Sequence, residues 1–501
     1  MTEATTEAPA STSTPAEPVA SAAPAPPARR KRVDLTFEPD RELLARWASA
    51  EPKWLTVDRA TALERFDALP IESNRLYTPY VDLRGADLAD VRAWDETAAA
   101  PSAGAGDASA AGRPDGVAAI IELREDGIDL LDIDPAAAAA GVTIETLGAL
   151  IARDPAAARR LLTDDGTIPH DDRIAQLTRA AWNQGVAIHV PAGVKLDRPI
   201  IVRWLAGVPG RALLTRTVVE LGDGAAASLV EELRPSGPEI VCAEGETVPQ
   251  GLFTGSMELH LGTSADLAVA SLQELGSRQV VFQHRTAAVG EGANLRWAMA
   301  QLGGRLVRSR IDNLLEGDRS TVEQVEIVFG GEEQLFDLTS YTKHIGRDTT
   351  GSLLSKGVLL DKARSYMKGL ITIEKTAIGT DSFLGEFGMN LSKATRAVAI
   401  PSLEIDQPDC RRAMHSSSVG PIDETQLFYL ESRGIPPDEA RKFIVLGFLE
   451  PVVARVPLAD AQDRLRELLE GKWAAGLARS GAGSVAPTTV AATPAGSPPA
   501  A

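Results

Sequence analysis

The sequence predicts a mainly β protein with helical ends, and three observations carry that expectation. From about residue 188 to 405, short alternating runs rich in Val, Leu and Ile follow one another, as in AIHVPAGVKLDRPIIVRWL, RTVVELGDGAAASLVEEL and GSMELHLGTSADLAVASLQEL. Gly-bearing turns break them at Gly222-Asp223-Gly224, Gly262-Thr263, Gly290-Glu291-Gly292 and Gly317-Asp318. On either side of this body the apolar residues recur at helical spacing instead. Alternation alone fits both a sandwich of antiparallel sheets and a coiled solenoid in which each turn stacks on the last. The irregular turn spacing and the length of the run without a helix favour a β-helix.

Taken in order, residues 1–35 are Ala, Pro, Thr, Ser and Glu with almost nothing to bury, and read as a disordered leader. Residues 36–187 read as a mixed, mostly helical region: Asp40 caps RELLARWASAEP, TVDRATALERFDALP has helical spacing, and TIETLGALIARDPAAARRLL and HDDRIAQLTRAAWNQG continue the theme. A flexible loop near 96–116, ETAAAPSAGAGDASAAGRPDG, interrupts it. The β body at 188–405 gives way to a C-terminal helical domain at 406–479. In that domain Asp423 caps DETQLFYLESRG, Gly434 stops it, Pro436-Pro437 open PPDEARKFIVLGFLEPVV, and a third helix follows Pro457. Residues 480–501 read as a second disordered tail.

With 501 residues the chain is too long for one ordinary core. Its formal net charge of -18 opposes binding to a phosphate backbone, so nucleic acid is not an expected partner. The basic run from Arg29 to Arg32 reads as a solvated patch. No apolar run approaches the length needed to cross a bilayer and the N-terminus lacks the apolar middle of a signal peptide, so a cytoplasmic, membrane-free protein is expected. Two cysteines, Cys242 and Cys410, are too few for a disulfide framework or a Cys-rich metal site. Any cluster or metal would need borrowed ligands.

Cys410 and His415 lie five residues apart, a spacing that says little about a nucleophile and its base. Glu404, Asp406 and Asp409 beside the cysteine oppose the negative charge of a thiolate. His415, flanked by Met414 and Ser416 to Ser418, reads locally as a hydrogen-bonded histidine at the junction of body and helices, and His344 as a structural residue on a strand face. Glu231-Glu232, Glu332-Glu333 and Asp361 could supply paired acids for glycoside hydrolysis, but neighbours on a strand point to opposite faces and read better as solvated edges. GVPGRALLT and LGGRLVRS do not complete a phosphate loop, so no nucleotide hydrolysis is expected. The 423–449 hairpin carries more apolar side chains than two short helices can bury, including Leu427, Phe428, Tyr429, Ile435, Phe443 and Phe448.

At PSLEIDQPDCRRAMHSSSVGPIDETQLFYLESRGIPPDEARKFIVLGFLEPV the sequence resembles the SufB/SufD family of iron-sulfur cluster assembly scaffolds. The resemblance extends back through KHIGRDTTGSLLSKGVLLDKARSYMKGLITIEKTAIGTDSFL and, more weakly, through WNQGVAIHVPAGVKLDRPIIV and LERFDALPIES. It implies a right-handed parallel β-helix flanked by helical regions. It also implies a complex in which a SufB-like and a SufD-like subunit pair and a SufC-type ATPase docks on the C-terminal helices, here through Phe428, Tyr429, Arg433, Gly434, Ile435 and Phe448.

Thr380-Asp381-Ser382 stands where SufB-like chains begin a strand with an essential Cys, and Ser416 where they carry a Glu; both differences favour SufD. His415 takes the position of the junction histidine at the subunit interface, where it is expected to face, and as a neutral imidazole to ligate, a transient iron-sulfur cluster. Ala413-Met414-His415 replaces the usual Cys-Ser-His. No stably bound cofactor and no catalysis are expected. A homodimer that builds clusters by itself and a carbohydrate-active β-helix enzyme are the alternatives.

Overall fold

The computed structural model describes residues 34–94, 112–238, 248–456 and 458–482. The expected leader up to residue 33, the loop residues 95–111, Cys242 and the tail from 483 lie outside them. In chain order the elements are α1 (Arg41–Ala50), α2 (Lys53–Ala68), β1 (Arg92–Ala93), β2 (Ala119–Arg124), β3 (Gly127–Ile133), α3 (Pro135–Ala139), β4 (Thr143–Thr146), α4 (Leu147–Arg153), α5 (Pro155–Arg159), α6 (Arg173–Ala181) and β5 (Gln184–Val190). Then come β6 (Ile200–Ala206), β7 (Arg211–Leu221), β8 (Ala226–Pro235), β9 (Gly251–Leu261), β10 (Asp266–Gln273), β11 (Gln279–Val289), β12 (Asn294–Gln301), β13 (Leu306–Leu315), β14 (Thr321–Gly330) and β15 (Leu335–His344). The chain finishes with β16 (Thr350–Leu359), β17 (Arg364–Ile373), β18 (Asp381–Asn390), β19 (Arg396–Ile405), β20 (Arg412–Pro421), α7 (Glu424–Ser432), α8 (Pro437–Val453) and α9 (Ala459–Ala482).

From β7 to β18 every strand pairs in parallel with the strand two before and two after it, so from β5 onward odd strands lie in one sheet and even strands in the other. That pattern is a solenoid of about eight turns and rules out the antiparallel sandwich. Residues in register on successive turns are 26 (Val280 and Leu306) to 40 (Ala226 and Asp266) apart, a variation wide enough to hide the repeat from a fixed-period search. One corner keeps its shape at every turn. Gly224, Ser264, Gly292, Arg319, Asp348 and Gly379 all take φ between 53° and 77°, and each donates its N–H to a carbonyl of the next corner, from Gly224 to Thr263 O at 2.8 Å through Gly379 to Asp409 O at 2.8 Å. The left-handed conformation costs a non-glycine residue about 1 kcal/mol, which the stacked hydrogen bonds offset.

Between the sheets lies an apolar core of inward residues such as Val202, Trp204, Phe253, Val281, Trp297, Phe336 and Met367. The outer faces are covered as well. On the odd sheet, Leu35, Phe37, Leu43, Phe66, Leu83 and Leu88 pack against Leu214, Leu252, Phe282 and Leu306. On the even sheet, α8 and α9 lay Val445, Leu449, Leu465 and Trp473 against Ala300, Val325, Ile327 and Phe329. The odd sheet also carries a buried ionic cluster beneath the N-terminal segment: Arg308 reaches Glu72 at 2.7 Å and Asp337 at 3.2 Å, and Lys368 reaches Asp337 at 2.5 Å. Asp172, which caps α6 through Ile174 N–H, belongs to it. Burial alone would raise this carboxyl, but His284, Arg310 and Arg308 hold it well below the usual range.

Two expected boundaries move. In the region 36–187, β2 pairs with β6 and, antiparallel, with β3, while β4 pairs with β5. Strands therefore enter both sheets before residue 188. At the other end the segment 406–421, expected with the helices, supplies β20, the last strand of the even sheet; α7 begins only at Glu424, capped by Asp423 through Thr425 N–H at 2.8 Å.

Candidate functional site

The solenoid ends abruptly. β19 and β20 are the terminal strands of the two sheets, and α8 packs over β14 and β16, short of that end. The consequence is visible in burial: none of the residues of β18 is exposed and half are buried, whereas most of β20 is exposed. Met414 is 47% exposed and Ile405 46%.

His415 belongs to this uncovered turn. It is in register with Leu384, itself in register with Leu353, Gln324 and Trp297 on the preceding turns, all of them inward-facing and buried. The histidine therefore occupies the inner column of the solenoid at the point where no further turn covers it, rather than a loop between body and helices. Its main chain is also free on one side. Arg412 N–H bonds back to Thr380 O, so in a regular parallel ladder the N–H groups of Ala413, His415, Ser417 and Val419 point along the open edge. On β19 the matching donors are those of odd residues, because Arg396 and Asp406 bond to β17. Pro401 falls at an odd position, where only a donor that no strand accepts is missing.

Cys410 sits in the turn between β19 and β20, half-buried against the cluster of Leu353, Ile371, Ile373, Ala377 and Leu384. The structure brings it to the same end as His415, and no hydrogen bond or ion pair joins the two residues. Thr380, expected from the resemblance to stand at the position of the SufB cysteine, is buried just before β18, its hydroxyl donating to Ala377 O at 2.9 Å. His344 lies deeper, with Nδ1 2.8 Å from Thr349 Oγ1 and Nε2 3.0 Å from Ser382 Oγ. Burial pushes its imidazole down to about 4, and with both nitrogens engaged it is a structural residue. Among the described residues no group of three or more His, Cys, Asp and Glu side chains could hold a metal ion. Any iron held at the open end needs ligands from another surface besides His415.

The acids considered for hydrolysis are engaged elsewhere. Glu231 and Glu232 do point to opposite faces, but neither is a solvated edge: Glu231 is buried inside with Arg285 and Glu232 is buried outside with Arg203 at 2.6 Å. Glu333 and Asp361 lie at turns, paired with Arg305 and Arg479.

The second surface is the α7–α8 hairpin. Phe428, Tyr429 and Phe443 are 72%, 56% and 61% exposed, and the Arg433 guanidinium lies 5.2 Å from the Tyr429 ring centre. Gly434, at φ 87°, closes α7: its N–H bonds to Glu431 O and that of Ile435 to Leu430 O, the paired bonds of a Schellman cap. Ile435 is half-buried. Phe448 faces the body, its carbonyl accepting from Lys356 Nζ at 2.6 Å and its ring 4.5 Å from the same nitrogen. Sequence reasoning missed the interior acids Glu326 and Glu386, both almost fully buried; Glu326 shares its strand parity with the inward Val322 and Glu386 shares its own with Leu384.

Residues 205–448 match the family described as SUF system FeS cluster assembly, SufBD core domain. The iron-sulfur cluster assembly protein SufD of Bacillus subtilis is 28% identical over 310 residues, 62% of this chain and 68% of that protein. Two proteins described as iron-sulfur cluster assembly SufBD family proteins, from Staphylococcus saprophyticus and Staphylococcus haemolyticus, are each 25% identical over 296 residues. Those alignments cover 59% of this chain and 62% of either staphylococcal protein, less than two thirds of their length. The match to the core domain runs from β6 into α8 and so takes in the open end, His415 and most of the hairpin: over these residues the chain is similar to the SufB/SufD family, and it is SufD-like.

Proposed function

We propose that this chain is a non-catalytic, cytoplasmic SufD-like scaffold subunit that pairs the open end of its solenoid with a SufB-like partner and presents His415 to the shared interface. The observation that carries the reading is the place of His415: an inward-column side chain left exposed by the absence of a next turn, on an edge whose N–H groups are free to pair. A partner seated there adds what this chain lacks. Thr380 stands in the position of the family thiol, so the partner supplies thiolate while His415 supplies an imidazole to a transient iron-sulfur cluster, which is the cargo of the assembly. The exposed aromatics Phe428, Tyr429 and Phe443, with Arg433, form the docking face for a SufC-type ATPase. Gly434, Ile435 and Phe448 set the shape and seat of the hairpin beneath it.

The test is co-purification of the wild type and His415→Ala with the cognate SufB-like and SufC-like proteins, followed by anaerobic reconstitution read by absorbance. A complex formed by both, with cluster formation lost only in the variant, is expected. A wild-type chain that retains neither partner overturns the scaffold reading, and a variant that assembles clusters normally removes His415 from the site.

A further inference from the structure

The outer face of the odd sheet carries a polar cleft of about 520 Å³ between the N-terminal segment and the last coils. Its floor includes a row in register across four strands, Leu314 on β13, Lys343 on β15, Thr372 on β17 and Glu404 on β19, and Asp171 stands in its wall. From β13 to β19 is three strand spacings, about 14 Å. The far end of the cleft is therefore the terminal strand of the sheet.

The cleft has acids to spare. Its two cations are already matched. Arg310, with its guanidinium 4.6 Å from the Tyr341 ring centre, is shared by Asp312 at 2.8 Å, Asp171 at 3.2 Å and Asp172 at 3.4 Å, and Lys343 is held by Glu374 at 2.6 Å. Asp171, 64% exposed, keeps an open side. Glu404 is exposed and met by the Thr372 hydroxyl at 3.5 Å, and among the described residues no cation reaches it.

Residue 34, the first that the structure describes, lies beside this cleft. The Asp34 carboxylate accepts from Arg173 Nη1 at 2.9 Å, two residues from Asp171, and its side chain is 71% exposed. Just before it in sequence stand Arg29, Arg30, Lys31 and Arg32, four consecutive cations in a chain of net charge -18. Composition alone reads that run as solvated. A surplus of carboxylates at the point where the run joins the folded body gives it a place to bind.

We propose that the cleft is the docking site of the chain's own basic run Arg29–Arg32, laid across β13 to β19 with its cations on Asp171 and Glu404. An extended chain covers about 3.5 Å per residue, so the run begins about 7 Å from Asp34 and ends about 17 Å from it, a reach that matches the width of the cleft. Guanidinium groups take carboxylates side by side, and their aliphatic stems lie over Leu314 and Leu370 on the floor. Exposed ion pairs are individually weak, but a tether this short holds the run at an effective concentration in the millimolar range, so a few of them suffice. The leader then lies along the rim of the open end. The inference stands whether or not a partner occupies that end.

The test uses the full chain in dilute solution. A zero-length carbodiimide joins an amine to a carboxylate that it touches, and Lys31 is the only amine in the run. Mass spectrometry is expected to find Lys31 joined to Glu404 or Asp171 within one chain, with a yield that falls at about 0.5 M salt as the pairs are screened. Arg29→Ser, Arg30→Ser and Arg32→Ser together keep the amine, lie outside the folded body and should lose the link. Trypsin reads the same contact independently: cleavage after Arg29 and Arg30 should be about fivefold faster in Glu404→Lys, the equivalent of an exposed ion pair at the top of its range, with an unchanged melting curve. Lys31 links found only in covalent dimers whose yield rises with concentration would put a second copy's leader in the cleft and overturn the proposal. Lys31 linked to neither acid overturns it too, as does cleavage indifferent to Glu404→Lys.

Discussion

Replacing Glu386 with Gln should make the protein more stable in alkali. The amide keeps an oxygen to accept Ile400 N–H and cannot ionise. In the wild type, burial lifts the carboxyl from 4.5 to about 8, so the folded chain binds this proton more tightly than the unfolded chain does. Its stabilising contribution is complete below pH 4.5 and drains away as the pH rises through about 8. At about 1.4 kcal/mol per pH unit, the wild type loses about 5 kcal/mol across that window through this one group, and the variant does not. Urea unfolding followed by circular dichroism between pH 5 and pH 9 is the assay. The stability difference in favour of Glu386→Gln should climb with pH and level off above the carboxyl's folded-state value. Curves that run parallel within about 0.5 kcal/mol over the whole range would refute a buried, unneutralised Glu386.

Four further outcomes follow from named contacts. His344, held down at about 4, makes the opposite contribution: it is neutral and stabilising above its unfolded value near 6.5 and costs stability as the pH falls toward 4, so His344→Gln should flatten the acid limb of the same stability profile. Arg216→Ala strands the buried Glu258, whose Oε1 lies 2.7 Å from Arg216 Nε, and should cost about 3–5 kcal/mol in urea unfolding at neutral pH. Phe428→Ser and Tyr429→Ser, at exposed positions, should leave the melting curve within about 0.5 kcal/mol of wild type while weakening capture of the SufC-like protein about tenfold or more in a binding titration. Gly317→Ala would place a methyl group 2.0 Å from Glu291 N; the two corners must separate, and a loss of about 2 kcal/mol or more is expected from calorimetry.

How far the sequence could be read depended on what each strand faces. In RTVVELGDGAAASLVEEL the Gly-Asp-Gly turn and the Val and Leu pattern announced two strands, and two strands are there. TVEQVEIVFG was recognised as β, yet its buried Glu326 was not, because Val325, Ile327 and Phe329 on the other parity are buried under the C-terminal helices as deeply as Val322 and Val328 are inside. With both faces apolar, alternation no longer says which acid points inward. AIIELREDGIDLLDI was missed as a hairpin although Glu125-Asp126-Gly127 is a plain turn signal and Gly127 takes φ 142°. β20 was missed for the opposite reason: its three serines and its glycine have low β propensity, and its conformation is dictated by the ladder from β18. His415 was found by resemblance alone, since no local pattern marks a histidine whose surroundings are furnished by the end of a sheet.

The order of the turns has a consequence for biosynthesis. Each strand from β5 onward finds its template in a strand made earlier, so the ladder can lengthen as the ribosome delivers it, one coil laid on the last. The strand bearing His415 is the final one to be laid down, and α8 and α9 then fold back over coils already in place. A prematurely terminated chain would therefore own much of the solenoid and none of the proposed interface. If the open end pairs as proposed, competence to pair arrives only with the last coil, and partial products do not compete for partners.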